Sequence, residues 1–270
     1  MKKAVKALKA LTQSLLRRAN LKLIRLGSNS SRRLGAYESA VMGLLCASQH
    51  LRIVVVGAND GKHNDPIYTV VRDFISAHTQ MILIEPQTRL HGYIAEHYAF
   101  HNDVHILGCA IGGGEEAGTL ELHALRPEYW SRAQPDYAKD WPVYRAPTGI
   151  TSTDRNNVVT WANKHVKRLK DPDAAVESFE VPCRSLLSAL FEVGLDTSID
   201  VLQVDAEGFD DIVIYNSDIA QTRPRIVYFE GKTLTAERLA KLKVYLADHG
   251  YISLPIGGDV LALGISTQFL

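Results

Sequence analysis

Short apolar runs that stop abruptly at a glycine or an acid alternate along this chain with longer stretches in which apolar positions return every three or four residues. The runs near 52–57, 81–85, 104–108, 199–204, 225–230, 250–254 and 259–263 are rich in Val, Ile and Leu and predict strands. The periodic stretches near 66–78, 87–99, 184–193, 208–215 and 235–249 predict helices, as does 36–48 with Leu44 and Leu45 turned inward. Strand runs without polar alternation fit a sheet covered on both faces. Strands and helices in alternation imply an α/β fold with a doubly wound, mostly parallel sheet, whose ligands lie outside the carboxyl ends of its strands. The last two strands are too close together for a helical crossover, so Gly257-Gly258-Asp259 is expected to turn a C-terminal antiparallel hairpin.

The pattern breaks between about 112 and 180. Gly112-Gly113-Gly114, prolines at Pro127, Pro135, Pro142 and Pro147, and all three tryptophans, Trp130, Trp141 and Trp161, fall there. A long irregular stretch inside a domain is usually functional, so an insertion acting as lid or acceptor wall is expected. Its aromatic rings suit stacking on sugars or other amphiphilic acceptors, and equally suit a small core of its own. The expected organisation is a basic amphipathic helix and helical extension over 1–49, then one domain over 50–270 that carries the insertion.

Charge refines this picture. The 30 basic and 30 acidic residues cancel, but ten cations from Lys2 to Arg33 precede the first acid, Glu38, so the remainder carries about −10. That balance argues against a nucleic-acid partner for the body. Ala4, Leu8, Leu11, Leu15 and Leu23 fall near one helical face with cations opposite. Packing on the domain, peripheral contact with an anionic membrane through residues 2–25, and an organelle presequence all fit. No run is long enough to span a bilayer. Cys46, Cys109 and Cys183 form neither a disulfide framework nor a zinc spacing, which fits a reducing, cytoplasmic setting.

Candidate chemistry gathers at the ends of the strands. Ile53-Val54-Val55-Val56-Gly57-Ala58-Asn59-Asp60-Gly61 is a strand that delivers a glycine turn, and Asp65-Pro66 reads as the cap and first residue of a helix with free N–H groups facing that turn. Met81-Ile82-Leu83-Ile84-Glu85-Pro86 ends in an acid where a ribose would be gripped. Ile199 to Asp211 contains Asp205-Ala206-Glu207-Gly208, and Arg225 to Gly231 ends in Glu230. In a doubly wound sheet Asp205, Glu207 and Glu230 could face one crevice beside the glycine turn. There they could act as general base, bind acceptor hydroxyls or an ammonium, or hold Mg²⁺. His63, just past the turn, is an alternative base.

Taken in order, Val-Val-Gly-Ala-Asn-Asp-Gly at 55–61, Leu-Ile-Glu-Pro at 83–86, the strand and turn from Val104 to Gly112, Val181-Pro182, Ile-Asp-Val-Leu-Gln-Val-Asp-Ala-Glu-Gly at 199–208 and Arg-Ile-Val-Tyr-Phe-Glu at 225–230 resemble the FkbM family of methyltransferases. The resemblance covers about residues 50–265 and implies a class I methyltransferase (Rossmann-like) fold that uses S-adenosyl-L-methionine. It implies that Gly57, Asn59 and Gly61 line the methionine part of the cofactor, that Glu85 holds the ribose, and that Asp205 and Glu207 stand beside the reacting centre. Asp205 is thereby expected to serve both cofactor and catalysis, with Glu230 as a third catalytic acid and no metal. The chain departs from the family pattern at Val55, where an acid is usual, at Gly231, where a histidine is frequent, and in Arg184-Ser185-Leu186, which lacks an Asp.

The expected function is therefore O-methylation of a hydroxyl on a glycan or secondary metabolite. The rivals are a nicotinamide-dependent oxidoreductase, opposed by the missing third glycine of its fingerprint, a metal-dependent glycosyltransferase using Asp205-Ala206-Glu207, and a binding or scaffold protein on a degenerate methyltransferase fold.

Overall fold

The computed structural model describes residues 34–113, 118–133 and 135–265. The basic stretch expected to form the first helix lies outside them. Among the described residues no helix is long and apolar enough to cross a membrane.

Seven strands build the central sheet: β1 (Leu51–Val56), β2 (Thr79–Ile84), β3 (Val104–Leu107), β7 (Val201–Val204), β8 (Ile226–Glu230), β9 (Tyr251–Ile256) and β10 (Asp259–Gly264), in the order β3-β2-β1-β7-β8-β10-β9. The first five are parallel, whereas β10 runs antiparallel to β8 and closes a hairpin with β9. The predicted doubly wound sheet and C-terminal hairpin are thus both present. The apolar runs form central strands because each alternates between two buried faces. Val54, Val56, Ile82 and Ile84 pack on one side with Leu202, Leu190, Ile214 and Leu246. Ile53, Val55, Met81 and Leu83 pack on the other with Ile67, Val71, Ile94 and Tyr98.

Helices cover both faces. On the second face lie α1 (Ala36–Ala47), α2 (Pro66–Val70) and α3 (His91–His97); on the first lie α6 (Leu186–Glu192), α7 (Asp210–Tyr215) and α9 (Ala236–Asp248). Tyr37 of α1 stacks on Tyr228 of β8 with ring centroids 4.1 Å apart. The helix expected over 66–78 changes its winding: after Val70 the chain continues as a π turn over Val71–Ile75 and a 3₁₀ turn over Ser76–His78. The one expected over 87–99 is a 3₁₀ turn, Thr88–Leu90, followed by α3.

The stretch from 112 to 180 is more ordered than its composition implies. Strands β5 (Gly118–Leu125) and β6 (Val176–Arg184) pair antiparallel, with β4 (Ala110–Ile111) on the outer edge of β6, and the segment between them carries α4 (Arg145–Gly149) and α5 (Arg155–His165). Pro182 is tolerated because β4 reaches only Cys183 and Arg184, so Pro182 has a strand neighbour on one side alone. Trp130 and Trp161 pack with Leu125, Ala162 and Val166 in a small core within this stretch. The short helix α8 (Ile219–Thr222) precedes β8.

Candidate active site

Strand order reverses between β1 and β7, and at such a point the loops diverge and leave a crevice. The registers Val56↔Ile84, Val56↔Val204 and Ile84↔Leu107 bring Gly57, Glu85 and Asp205 level at its floor. Gly57 has φ +80, and a Cβ there would lie 1.9 Å from the Asp205 carbonyl oxygen, so only glycine lets the two strand ends approach. The loop then satisfies its own amides. Gly57 and Ala58 donate to Ile84 O, Gly61 donates to Ala58 O, and Asn59 donates to Glu85 Oε2 at 2.8 Å. Lys62 and His63 donate to Asp60 Oδ1 at 3.1 and 3.0 Å.

Glu85 is buried at the tip of β2. Its second oxygen, Oε1, accepts from the Gln87 amide at 2.8 Å, while its carbonyl is engaged by His91 Nε2 at 2.8 Å. Each carboxylate oxygen therefore keeps a lone pair for a further donor. Burial raises its pKa, against the two backbone bonds that favour the charged form. Gln87 donates to Thr148 O, and its Oε1 is buried with no hydrogen-bond partner among the described residues.

These residues line a cleft whose opposite wall comes from residues 120–153. Leu120 and Leu122 of β5, Cys109, Ile111 and Phe209 supply its apolar lining, and Arg145, Thr148 and the loop after α4 supply polar groups. Helix α4 is docked by side chains: Tyr144 donates to Asp60 Oδ2 at 3.1 Å, Arg145 Nε to His63 O at 3.0 Å, and Thr148 Oγ1 to Asn59 Oδ1 at 3.2 Å. Burial pushes the Cys109 thiol up to about 11, so it is a neutral part of the wall.

Asp205 and Glu207 both line the cleft. Glu207 sits at φ 49 ahead of Gly208 at φ 92, a left-handed pair that turns the chain sharply out of β7. Burial, reinforced by the nearby Glu230 charge, raises Asp205 to about 6. Burial and then the Asp205 and Glu230 charges raise Glu207 as well. Asp210, fully buried, accepts from the amides of Glu230 and Gly208, and its pKa is raised to about 8, first by burial and then by Asp205. Asp211, as its position at the start of a helix suggests, serves structure: it pairs with Arg238 of α9.

Two expected site residues are not brought to the cleft. Glu230 stands in register with the Asp205 end of the sheet, yet β8 is one strand farther from the switch point, and its carboxylate pairs with Lys232. It acts on Asp205 and Glu207 through its charge alone. Gly61 packs under Tyr98, where a Cβ would meet the ring at 3.0 Å, so it shapes the turn and does not line the cleft. His63 is also absent from the lining, and its Nδ1 is 2.6 Å from Asp60 Oδ2. Among the described residues, Asp60, His63 and His97 are the group whose metal-ligand atoms come within 4.8 Å of one another, and the acids of β7 and β8 are not among them. Although burial acts to raise it, Asp60 is held below the usual carboxylate range by the His63 and Lys62 hydrogen bonds and the Arg145 charge.

Sequence reasoning missed Gln87, Arg145 and Thr148. Gln87 follows the strand-end Glu-Pro and could have been inferred from that position, whereas nothing in the spacing around Pro142 and Pro147 marks Arg145. The departures from the family pattern also find places. Val55 is core, and Gly231 sits under the β9–β10 turn, where a Cβ would press on Val260 at 3.2 Å.

A model of the methyltransferase FkbM domain matches residues 56–253. The chain belongs to the FkbM methyltransferase family. It is an S-adenosylmethionine-dependent methyltransferase. A comparison with curated proteins finds no match. Among solved structures it is similar to an O-methyltransferase from Bacillus cereus in complex with S-adenosylhomocysteine (9% identity, 95% of this chain and 90% of that chain, TM-score 0.44). It is also similar to the O-methyltransferase TomG from Streptomyces achromogenes (10% identity, 93% and 86%, TM-score 0.39) and to precorrin-6y C5,15-methyltransferase from Geobacter metallireducens (10%, 87% and 90%, TM-score 0.37).

The residues of the FkbM-family cleft fit the cofactor. Gly57 leaves the floor free of side chain, Glu85 keeps acceptor capacity for sugar hydroxyls, Gln87 Oε1, without a partner among the described residues, offers an acceptor for a donor on the ligand, and the surrounding carboxylates complement its positive charge.

Proposed function

We propose that this enzyme methylates a hydroxyl oxygen of a glycan or secondary metabolite in the cytoplasm, with Asp205 and Glu207 handling the acceptor proton. The observation that carries the reading is that these two carboxylates line one cleft with Gly57, Asn59 and Glu85. The bound cofactor supplies an electrophilic methyl group. Asp205, raised to about 6 by burial, is ionised at neutral pH yet more basic than an ordinary carboxylate, which suits it to accept a hydroxyl proton as the new bond forms. Glu207, with its proton affinity also raised, orients the acceptor by hydrogen bonding at the cleft mouth. Leu120, Leu122 and Phe209 hold the acceptor's carbon face and exclude water. Gly57, Asn59 and Glu85 hold the cofactor, and positioning supplies most of the acceleration because the methyl group is already activated.

The test is an acceptor screen of oligosaccharides and polyhydroxylated metabolites. It follows SAH release together with the mass gain of one methyl group. The expected product carries the methyl on oxygen, and Asp205→Asn lowers kcat by about 10²–10⁴ while still binding SAH. Methylation confined to nitrogen or carbon acceptors, or full activity in Asp205→Asn, would refute the assignment.

A further inference from the structure

The amino-acid end of the cofactor carries a carboxylate, and the cleft is built mainly of groups that repel one. Asp205, Glu207 and Glu85 all line it. The helix start at Asp65-Pro66, whose N–H groups would otherwise suit an anion, is closed: Asp65 Oδ1 accepts from the Ile67 and Tyr68 amides at 2.8 and 3.3 Å, and Pro66 has no N–H to give. The glycine loop offers little more, since the amides of Gly57, Ala58, Asn59, Gly61, Lys62 and His63 are spent within the protein.

One cation lines the cleft among the described residues, Arg145 at the start of α4. It is 7% exposed. Its Nε donates to His63 O, its guanidinium lies 5.3 Å from the Trp141 ring centroid, and Nη1 occupies the space over Gly149, where a Cβ would come within 2.5 Å of it. Its nearest acid is Asp60, 3.8 Å from Nε, and neither Nη group has a hydrogen-bond partner among the described residues. A buried guanidinium that is anchored at one edge and unfilled at the other is a preorganised fork for a carboxylate.

We propose that Arg145 receives the α-carboxylate of S-adenosylmethionine, replacing the helix N-terminus that Asp65 blocks, while the cleft acids face the cofactor's ammonium and the acceptor. The insertion thereby completes the cofactor site, and Gly149 is small so that the guanidinium can lie flat beside it. An anionic acceptor is the competing use of the same fork, and the two are separable without an acceptor in hand.

Calorimetric titration of the whole protein with SAH and with S-adenosyl-3-thiopropylamine, its decarboxylated analogue, tests the proposal on wild type, Arg145→Gln, Arg145→Lys and Tyr144→Phe. Wild type is expected to prefer SAH. Arg145→Gln is expected to weaken SAH binding about 10–100-fold, the range for a charge-assisted hydrogen bond, while changing the analogue's affinity little. Arg145→Lys should recover part of the preference. Tyr144→Phe loosens α4 from Asp60 but keeps the cation, so it should retain the wild-type preference. Equal losses for both ligands in Arg145→Gln would reduce Arg145 to a structural role, and unchanged SAH binding would assign the fork to the acceptor; either result overturns the proposal. Failure of wild type to bind SAH at all would instead overturn the cofactor assignment beneath it.

Discussion

Replacing Gly57 by alanine is the sharpest perturbation the fold allows. The new Cβ would sit 1.9 Å from Asp205 O and 2.8 Å from its carbonyl carbon, so the ends of β1 and β7 must part by more than an ångström. That movement breaks the Asp205 N to Val56 O bond of 2.9 Å, a loss of about 1 kcal/mol. A further ~1–2 kcal/mol comes from forcing an L-residue to φ +80. Residual overpacking adds about 1–3 kcal/mol, for a total near 3–6 kcal/mol. For a domain of this size the melting temperature should fall by roughly 6–24 °C. Because the same displacement moves Asn59 and Asp205, SAH affinity should drop at least about tenfold. Gly92→Ala is the matched control: it lies in α3 with nothing within 4 Å of a new Cβ, and should stabilise slightly. The measurements are thermal melts by circular dichroism and SAH calorimetry. A Gly57→Ala protein within about 2 °C of wild type and equal in SAH affinity would refute the close-approach argument.

Two other perturbations test the acids. Glu85→Gln places an amide NH₂ against the Asn59 or Gln87 N–H, so chemical denaturation should show a loss of about 1–3 kcal/mol alongside weaker SAH binding; unchanged stability would mean that those amide bonds are not formed in solution. Asp205 holds its proton up to about pH 6 in the folded protein, against an ordinary carboxylate value near 3.9 in the unfolded chain. The folded state thus binds more protons between those values, and stability should decline as pH rises from about 4 to 6, while kcat/KM climbs as the base ionises. Glu207 and Asp210, raised in the same way, contribute to the same decline, so Asp205→Asn should make it shallower between about pH 4 and 6, and an identical slope in the variant would remove Asp205 as a contributor.

What could be read from the chain alone was whatever short-range chemistry encodes. The runs at Ile53–Val56 and Met81–Ile84 declared strands buried on both faces, and Asp65-Pro66 declared a helix start, because periodicity and capping act over a few residues. The order of such elements implied the doubly wound sheet, and with it the meeting of Gly57, Glu85 and Asp205, since handed crossovers leave few alternatives. Strands β5 and β6 escaped notice because about fifty residues separate partners that no hairpin turn announces, and because Glu121, Glu177 and Glu180 give them a polar face. Glu230 looked equivalent to Asp205 by sequence position, but distance from the β1–β7 switch point removes it from the cleft.

The amides at the start of α2 looked available until the side chain of Asp65 was seen folded back onto them. Arg145 carries no local signal at all. Its role arises because α4 docks through Tyr144, Arg145 and Thr148 onto a loop more than eighty residues earlier, and such a juxtaposition is set by packing between distant segments rather than by any pattern within one. Local sequence thus determined the strands of the central sheet, the glycine turn and the strand-end acids; tertiary structure alone decided which of those acids share a cleft and which cation faces them.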